Sequence, residues 1–207
     1  PGCRTSFTDA FASEETGRRT HLYYPGTSGL LTPDHFQFES SRERILHLGL
    51  PGLHEQMDKP WNDDPNGWVT VLKSARAAGI KTNLEMCSLA ASRLVEVVTP
   101  CLGYLDYLII NDFEVAALAQ RPVRHDEDVD LRDCLTNAKD VFDRSSMELL
   151  VVHFPRGAIA MQRGADPLVT PSAAVPKGAI AGSNGAGDAF ASGILYGMLR
   201  GLSLIHI

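Results

Sequence analysis

A glycine-rich segment near the end of the chain contains the residues whose types and spacing best suit chemistry. Gly185-Ala186-Gly187 has almost no side-chain bulk and leads directly into an apolar run with helical spacing. Backbone N–H groups of such a loop, together with the unpaired donors of a first helical turn, form a site for an anion, most often phosphate. Asp188 adds a carboxylate inside that turn. A carboxylate there suits proton handling during phosphate transfer better than phosphate storage, although a plain helix start with a capping acid is the structural alternative.

Two common glycine motifs do not fit this segment. A P-loop requires a Lys-Ser/Thr pair after its last glycine, whereas Asp188-Ala189 follows Gly187. The dinucleotide fingerprint requires glycine or alanine three places after its second glycine, and Phe190 occupies that position. A nucleotide-binding oxidoreductase is therefore a disfavoured alternative, which NAD binding without ATP binding would revive.

A second polar pair follows the near-continuous apolar run at residues 104–110. Asn111 and Glu114 come where this predicted strand ends, and ligands of open α/β sheets gather at the carboxyl ends of strands. The same spacing is that of an Asn N-cap with Glu at the third helical position. The pair itself therefore leaves ligand binding and helix capping open.

The glycine-rich segment resembles the second signature of the ribokinase-like (PfkB) carbohydrate kinases, commonly Asp-Thr-x-Gly-Ala-Gly-Asp-x-Phe. Residues 185–188 and Phe190 match it, and Ser183 takes the place of the threonine. Gly182 replaces the first aspartate and leaves in doubt the monovalent-cation site that this aspartate helps to build. The resemblance covers most of the chain and implies ATP-dependent transfer of the γ-phosphoryl group to a hydroxyl of a sugar or sugar-like small molecule. A non-catalytic ligand-binding or regulatory protein on the same fold is the alternative, and the presence of Asp188 argues against it.

The resemblance also implies roles for individual residues. Asp188 becomes the general base, and the amides of residues 185–187 hold the transferring phosphoryl group. Asn111 and Glu114 match the family's Asn-x-x-Glu motif, which is associated with Mg²⁺ and the triphosphate. Mg²⁺ keeps several waters and is often held by only one or two carboxylates plus phosphate oxygens.

The nucleotide site implied by the resemblance has two further members. Gly157 matches the glycine that closes a family turn bordering the nucleotide, and Ser183 belongs to the signature itself. Glu85, near the end of the predicted strand at 81–87, is either a sugar contact or a surface glutamate. His153 and the other histidines show no metal-ligand spacing, so we interpret them as structural or surface residues.

Composition excludes several classes of protein. The chain has 207 residues, is 44% hydrophobic and carries a net charge of −6. It contains no lysine-arginine block, so the basic patch expected of a nucleic-acid-binding protein is missing from the sequence. No apolar run approaches the ~20 residues that span a bilayer. The cysteines show no CxxC spacing and indicate reduced thiols in a cytoplasmic protein. They are Cys3, Cys87, Cys101 and Cys134.

The elements that must position these residues alternate between strand and helix from residue 44 onward. Helical spacing or helix stops predict helices at 68–78, 89–98 and 131–142, and apolar runs between them predict strands buried on both faces. This alternation predicts a doubly wound α/β fold with a mostly parallel sheet and helices on both faces.

The first part of the chain has a different pattern. Extended runs at residues 5–11 and 19–24 flank turn residues at 13–17 and predict a β-hairpin. In the family such strands form a small lid over the sugar, so residues 1–30 would be part of this lid and 31–207 a truncated ribokinase-like core. The lid is also a candidate homodimer contact. The chain starts without methionine and stops soon after the signature, so we expect a fragment lacking the family's N-terminal and C-terminal segments.

Overall fold

The computed structural model describes residues 2–13, 19–87, 89–122, 130–176 and 184–204. These residues form a two-stranded sheet, a six-stranded sheet and helices packed on the larger sheet. The small sheet pairs β1 (Phe7–Ala12) with β2 (Arg19–Tyr24). The large sheet contains β3 (Ile45–Leu48), β4 (Lys81–Leu84), β5 (Tyr107–Asn111), β6 (Leu149–Phe154), β7 (Gly157–Gln162) and β8 (Leu168–Pro171).

The large sheet has its strands in chain order, from β3 to β8. The strands β3 to β6 are parallel, and β7 and β8 are antiparallel to their neighbours. Parallel neighbours need crossover connections, which contain helices here. The carboxyl ends of four strands therefore meet at one edge of the sheet. The crossover helices are α1 (Gly67–Ala77), α2 (Ala91–Val98), α3 (Asp112–Leu118) and α4 (Leu131–Asp143).

Both faces of this sheet are covered. Trp68 and Leu72 of α1 belong to a large apolar cluster on the face that α1 to α4 cover. The opposite face carries a smaller cluster, in which Ala191 and Ile194 of α5 (Ala186–Leu199) pack over the sheet. The predicted α/β fold, with a mostly parallel sheet and helices on both faces, is confirmed.

Some element boundaries differ from the predicted ones. The strand predicted from residue 104 begins only at Tyr107, because Thr99–Tyr104 forms a 3₁₀ helix that starts beside a proline. The strand predicted over 81–87 ends at Leu84. The helix after β5 begins at Asp112, directly after its N-cap Asn111.

The predicted hairpin is confirmed as an antiparallel pair. Phe7 and Tyr24 face each other across it with ring centroids 5.3 Å apart. The Tyr23 hydroxyl donates to the Leu53 carbonyl oxygen over 3.3 Å, which ties the hairpin to the loop after β3. The turn residues 14–18 lie outside the described residues, and the division into a lid at 1–30 and a core at 31–207 stays a prediction. None of the described helices combines the length and apolar character needed to cross a membrane.

Candidate active site

A row of polar side chains follows the carboxyl edge of the sheet on the face that α5 covers. His47 and Asn83 are register partners in β3 and β4, and Asn111 and His153 are register partners in β5 and β6. Side chains two positions apart on a strand share a face. The residues two positions earlier in β5 and β6 belong to the apolar cluster under α5, so the face changes from apolar to polar at its edge.

The start of α5 lies over this edge. Gly185 is its N-cap with φ of +73°, a backbone conformation that residues with a Cβ adopt only at a cost. Because the N-cap is glycine, no side chain of it caps the N–H groups of Ala186, Gly187 and Asp188 in the first turn. Asp188 is exposed. Ser183, which the sequence assigns to the nucleotide, lies outside the described residues.

The first turn of α5 sits directly on the end of β6. A Cβ added to Gly187 would lie 3.6 Å from His153 Cε1, and the Phe190 ring centroid is 5.0 Å from that of His153. Burial lowers the pKa of His153, against a smaller opposing effect of Glu85. The uncharged imidazole of His153 therefore packs against the first turn of α5.

Glu85, which follows β4, is near enough to Asp188 for each carboxyl group to shift the pKa of the other. Glu85 also pairs with His47 Nε2. The polar interaction with Glu85, followed by desolvation and by repulsion from Glu85, raises the pKa of Asp188. The N-terminal end of α5 by itself favours the charged form of Asp188, whereas Glu85 and burial act in the opposite direction. The pKa of Glu85 is lowered, first of all by its hydrogen bond to His47.

Asn83 contacts the imidazole ring of His47. It is fully buried, and its Nδ2 lies 2.6 Å from His47 Nδ1. Its Oδ1 has no hydrogen-bond partner among the described residues. A buried amide oxygen without a partner is uncommon in proteins and calls for an explanation.

Asn111 and Glu114 form a capping box at the start of α3. The Glu114 N–H donates to Asn111 Oδ1 and the Asn111 N–H donates to Glu114 Oε2. The Glu114 residue is only 6% exposed, and burial raises its pKa to about 7. The helix-capping role that the sequence left open is thus present. Each capping oxygen still keeps a lone pair for another ligand.

The carboxylate oxygen of Glu114 and the amide oxygen of Asn111 suit Mg²⁺, which is a hard cation and prefers oxygen ligands. Glu114 is a buried carboxyl with no cationic side chain bonded to it among the described residues, so a bound cation would supply the missing countercharge. The described residues contain no group of three or more His, Cys, Asp or Glu that could hold a metal. A site here would rely on waters and phosphate oxygens for its remaining ligands, as Mg²⁺ sites often do.

Gly157 has a structural reason to be glycine. It begins β7 and pairs with Pro171 of β8, and a Cβ added to it would lie 2.5 Å from the Thr170 carbonyl oxygen. This close approach explains the residue type without a nucleotide. Its predicted place beside the nucleotide stays a prediction.

Sequence reasoning missed His47 and Asn83 and left Glu85 undecided. Glu85 is half-buried, with 21% of its side chain exposed, and it pairs with His47 Nε2. Its alternative role as a sugar contact stays a prediction. A signal did exist: each of these residues lies at the end of a parallel strand and in phase with the others. The effect of Glu85 on Asp188 had no signal in the sequence, since it depends on how a distant helix packs.

The fold resembles those of several solved kinases. Anopheles gambiae adenosine kinase in complex with P1,P4-di(adenosine-5) tetraphosphate is 16% identical, with a TM-score of 0.73 over 99% of this chain and 59% of that chain. Thermotoga maritima 2-dehydro-3-deoxygluconokinase is 17% identical, with a TM-score of 0.71 over 95% and 60%. Cryptococcus neoformans var. grubii serotype A ribokinase in complex with ADP is 13% identical, with a TM-score of 0.70 over 99% and 62%.

At these identities the likeness shows the fold, and the chain spans less than two thirds of the length of each of these structures. No curated protein matches the sequence. A family model described as pfkB family carbohydrate kinase matches residues 1–207, and this chain therefore belongs to that family.

Proposed function

We propose that the intact protein is an ATP-dependent kinase that transfers the γ-phosphoryl group to a hydroxyl of a sugar or a sugar-bearing small molecule. The observation that carries this proposal is the position of Asp188 in the first turn of α5, over the polar edge of the sheet and beside uncapped helix N–H groups. Membership in the pfkB family supports the same reaction.

The chemistry follows from this arrangement. The amides of Ala186 and Gly187, at the positive end of the helix dipole, hold the transferring phosphoryl group. Asp188 aims the acceptor hydroxyl and takes its proton, while the protein contributes mainly positioning and charge stabilisation. Phosphoryl-transfer transition states are loose in most analyses, so the hydroxyl loses its proton late and a carboxylate is a sufficient base.

Mg²⁺ is the metal that suits this reaction, and Glu114 and Asn111 are the residues that would hold it. When bound, it neutralises charge on the triphosphate. Gly157 and Ser183 complete the proposed nucleotide site.

The substrate class rests on the fold relatives. The structures of similar fold include sugar kinases as well as an adenosine kinase, so the acceptor is either a free sugar or the ribose of a nucleoside. The four cysteines are free, which suits a reducing compartment such as the cytoplasm.

The test is ADP release by the intact protein across a panel of free sugars and nucleosides, with and without Mg²⁺. We expect release with members of one acceptor class and no release without an acceptor. A protein that binds members of this panel but releases no ADP with any of them would instead be the non-catalytic alternative.

We also propose that the hairpin pairs with a second copy of the chain. Its register places four apolar side chains on one face, and Phe7, Phe11 and Leu22 are each more than half exposed. Light scattering after size exclusion tests this: Phe11→Ser should shift a dimer towards monomer, whereas Thr8→Ser on the opposite face should not. An unchanged mass for Phe11→Ser would contradict the proposal.

A further inference from the structure

The segment between β3 and α1, residues 49–66, is organised around the carboxyl group of Asp58. Its Oδ1 accepts hydrogen bonds from the Gly52 N–H at 2.9 Å and from the Trp68 Nε1–H at 2.8 Å. Its Oδ2 accepts one from Arg93 Nη2 at 2.9 Å. Only 4% of the Asp58 side chain is exposed, so these donors replace water around a buried carboxyl group. They come from three parts of the chain: this segment, α1 and α2.

The hairpin is attached to the same segment, directly after the residue whose N–H Asp58 binds. The Tyr23 hydroxyl donates to the Leu53 carbonyl oxygen over 3.3 Å and lies 2.8 Å from Ser28 Oγ, in the turn after β2. His54 Nδ1 lies 2.9 Å from the Ser28 carbonyl oxygen, which can only accept, so the imidazole donates this bond. A shift of the segment around Asp58 would therefore move the residues that hold the hairpin.

The segment after β4 is joined to these contacts as well. Arg93 lies in the first turn of α2, the helix that follows this segment. Leu89 packs against Gly52 so closely that a Cβ added to this glycine would lie 2.1 Å from Leu89 Cδ1. A Cβ added to Gly49 would lie 3.2 Å from Glu85 Cβ. The segments after β3 and β4 are thus packed together along the carboxyl edge of the sheet.

These contacts lie on the side of the sheet that the proposed nucleotide site leaves open. Asn111 and Glu114 belong to the end of β5 and the start of α3, and Gly157 begins β7. Because the strands lie in chain order, β3 and β4 are on the other side of β5 from β7. An acceptor that reaches Asp188 without overlapping the nucleotide approaches from the side of β3 and β4, where the hairpin is attached.

We propose that Asp58 is a positioning residue for the acceptor: it holds the hairpin and the segments after β3 and β4 together as one unit, and this unit fixes the acceptor opposite Asp188. The assignment rests on the proposed kinase function and deepens it by naming the residue on which the acceptor side of the site depends. Asp58 itself does not touch the acceptor, because its side chain is buried and both of its oxygens accept bonds from the protein.

Asparagine at this position would break one of the links and keep the others. Its single amide oxygen can still accept from Gly52 and Trp68, but its NH₂ group would face the Arg93 guanidinium, and two donors form no hydrogen bond. The lost bond between Asp58 and Arg93 is charge-assisted and therefore stronger than a neutral one. Asp58→Asn should thus release α2 from the segment without changing the size of the side chain.

The experiment measures steady-state kinetics of the intact protein for wild type, Asp58→Asn and Arg93→Gln, with ATP and the sugar or nucleoside that gives ADP release. The two variants break the same ion pair from opposite sides. We expect kcat/KM for the acceptor to fall by about tenfold or more in both, because a misplacement of about 1 Å can cost about 100-fold. KM for ATP should stay at its wild-type value. The Arg93 side chain is 37% exposed, so Arg93→Gln keeps the test decisive if Asp58→Asn does not fold.

Asp64→Asn is the matched control. Asp64 is an aspartate of the same segment, with 14% of its side chain exposed, but its partners Thr70 and Lys73 both belong to α1. This variant should lose stability while keeping kcat/KM for the acceptor. Hydrogen exchange without substrate reports the attachment of the hairpin independently of turnover. Amides of residues 19–30 should exchange faster in Asp58→Asn than in wild type or Asp64→Asn.

The outcomes separate this assignment from the proposed function. With an active wild type, a match between Asp58→Asn and Asp64→Asn in either the acceptor kcat/KM or the exchange of residues 19–30 would overturn this assignment alone. Losses that multiply in the double variant of Asp58→Asn and Arg93→Gln would also overturn it, because residues that act through one contact are not additive. No ADP release by wild type would overturn the proposed function and this assignment together.

Discussion

Asn111 and Glu114 exchange two hydrogen bonds, 2.9 Å from the Glu114 N–H to Asn111 Oδ1 and 3.0 Å from the Asn111 N–H to Glu114 Oε2. This exchange satisfies two backbone donors at the helix start but encloses a carboxyl group whose pKa is raised to about 7. A pair that only capped the helix would gain nothing from an acid here, since glutamine makes the same bonds.

Glu114→Gln should therefore change how stability depends on pH. A raised pKa means that the stability contributed by Glu114 is complete below its ordinary pKa of 4.5 and is lost as pH rises through about 7. In a chelator, wild type should lose up to about 3 kcal/mol relative to the variant between pH 4.5 and 8, at about 1.4 kcal/mol per pKa unit. Urea unfolding at several pH values measures this, with exposed Glu96→Gln as control.

The same variant tests the metal. If Glu114 holds Mg²⁺, then Mg²⁺ with a non-hydrolysable ATP analogue should raise the melting temperature of wild type more than that of Glu114→Gln, and the variant should need more Mg²⁺ for turnover. An identical Mg²⁺ requirement in the two proteins would leave Glu114 with the capping role alone.

Asp188→Asn should reduce turnover by about 10²–10⁴-fold, the range typical for loss of a general base. ATP affinity should stay similar or tighten, because a negative charge near the phosphates is removed. Asp133→Asn is the matched control, since Asp133 occupies the same third position of α4, and it loses a similar helix-dipole interaction without any effect on turnover. Near-normal turnover in Asp188→Asn would remove residues 185–188 from the catalytic site.

Gly187→Ala should separate folding from phosphoryl binding. The added methyl would make ordinary contacts with His153, so the melting temperature should be unchanged or slightly raised. Turnover should fall by about 10²-fold, because a misplacement of about 1 Å can cost that much. Gly193→Ala in the same helix meets no atom within 4 Å and should keep full turnover. Equal turnover in the two variants would argue against a phosphoryl site at Gly187.

Gly157→Ala tests whether this glycine serves the fold. Its methyl would overlap the Thr170 carbonyl oxygen, so we expect a loss of about 1–3 kcal/mol in the free energy of unfolding. Gly103→Ala, with nothing within 4 Å of the new methyl, is the control. A variant as stable as the control, but with weakened ATP binding, would show that the nucleotide rather than β8 requires the glycine.

Much of this architecture could be predicted because its causes are local in the sequence. Apolar runs and helix stops locate the strands and helices, and the capping spacing of Asn111 and Glu114 appears unchanged in the structure. The first turn of α5 at Gly185 follows from the glycine-rich segment.

The surroundings of Asp188 could not be predicted in the same way. Its pKa is raised first of all by Glu85, which lies far away in the chain and acts on Asp188 only because α5 packs on the sheet. The position of Asp188 at a helix start is visible in the sequence, but the nearby carboxyl group of Glu85 is not. Pairwise contacts between distant elements depend on packing that periodicity does not encode.

The two faces of the large sheet are covered unequally, so α5 should open more easily than the rest of the fold. Within the described residues, α5 is anchored by a small cluster that includes Ala191 and Ile194, whereas the opposite face is covered by several helices. Elements with few buried contacts open locally at low free energy. We expect amides of α5 to exchange with deuterium faster than those of β5, and ATP to slow them, because a ligand bound at the first turn stabilises the docked helix. Equal exchange in both elements would contradict this. Asp188, which lies in the first turn of α5, would then be fixed over the edge of the sheet by the same event that admits the nucleotide.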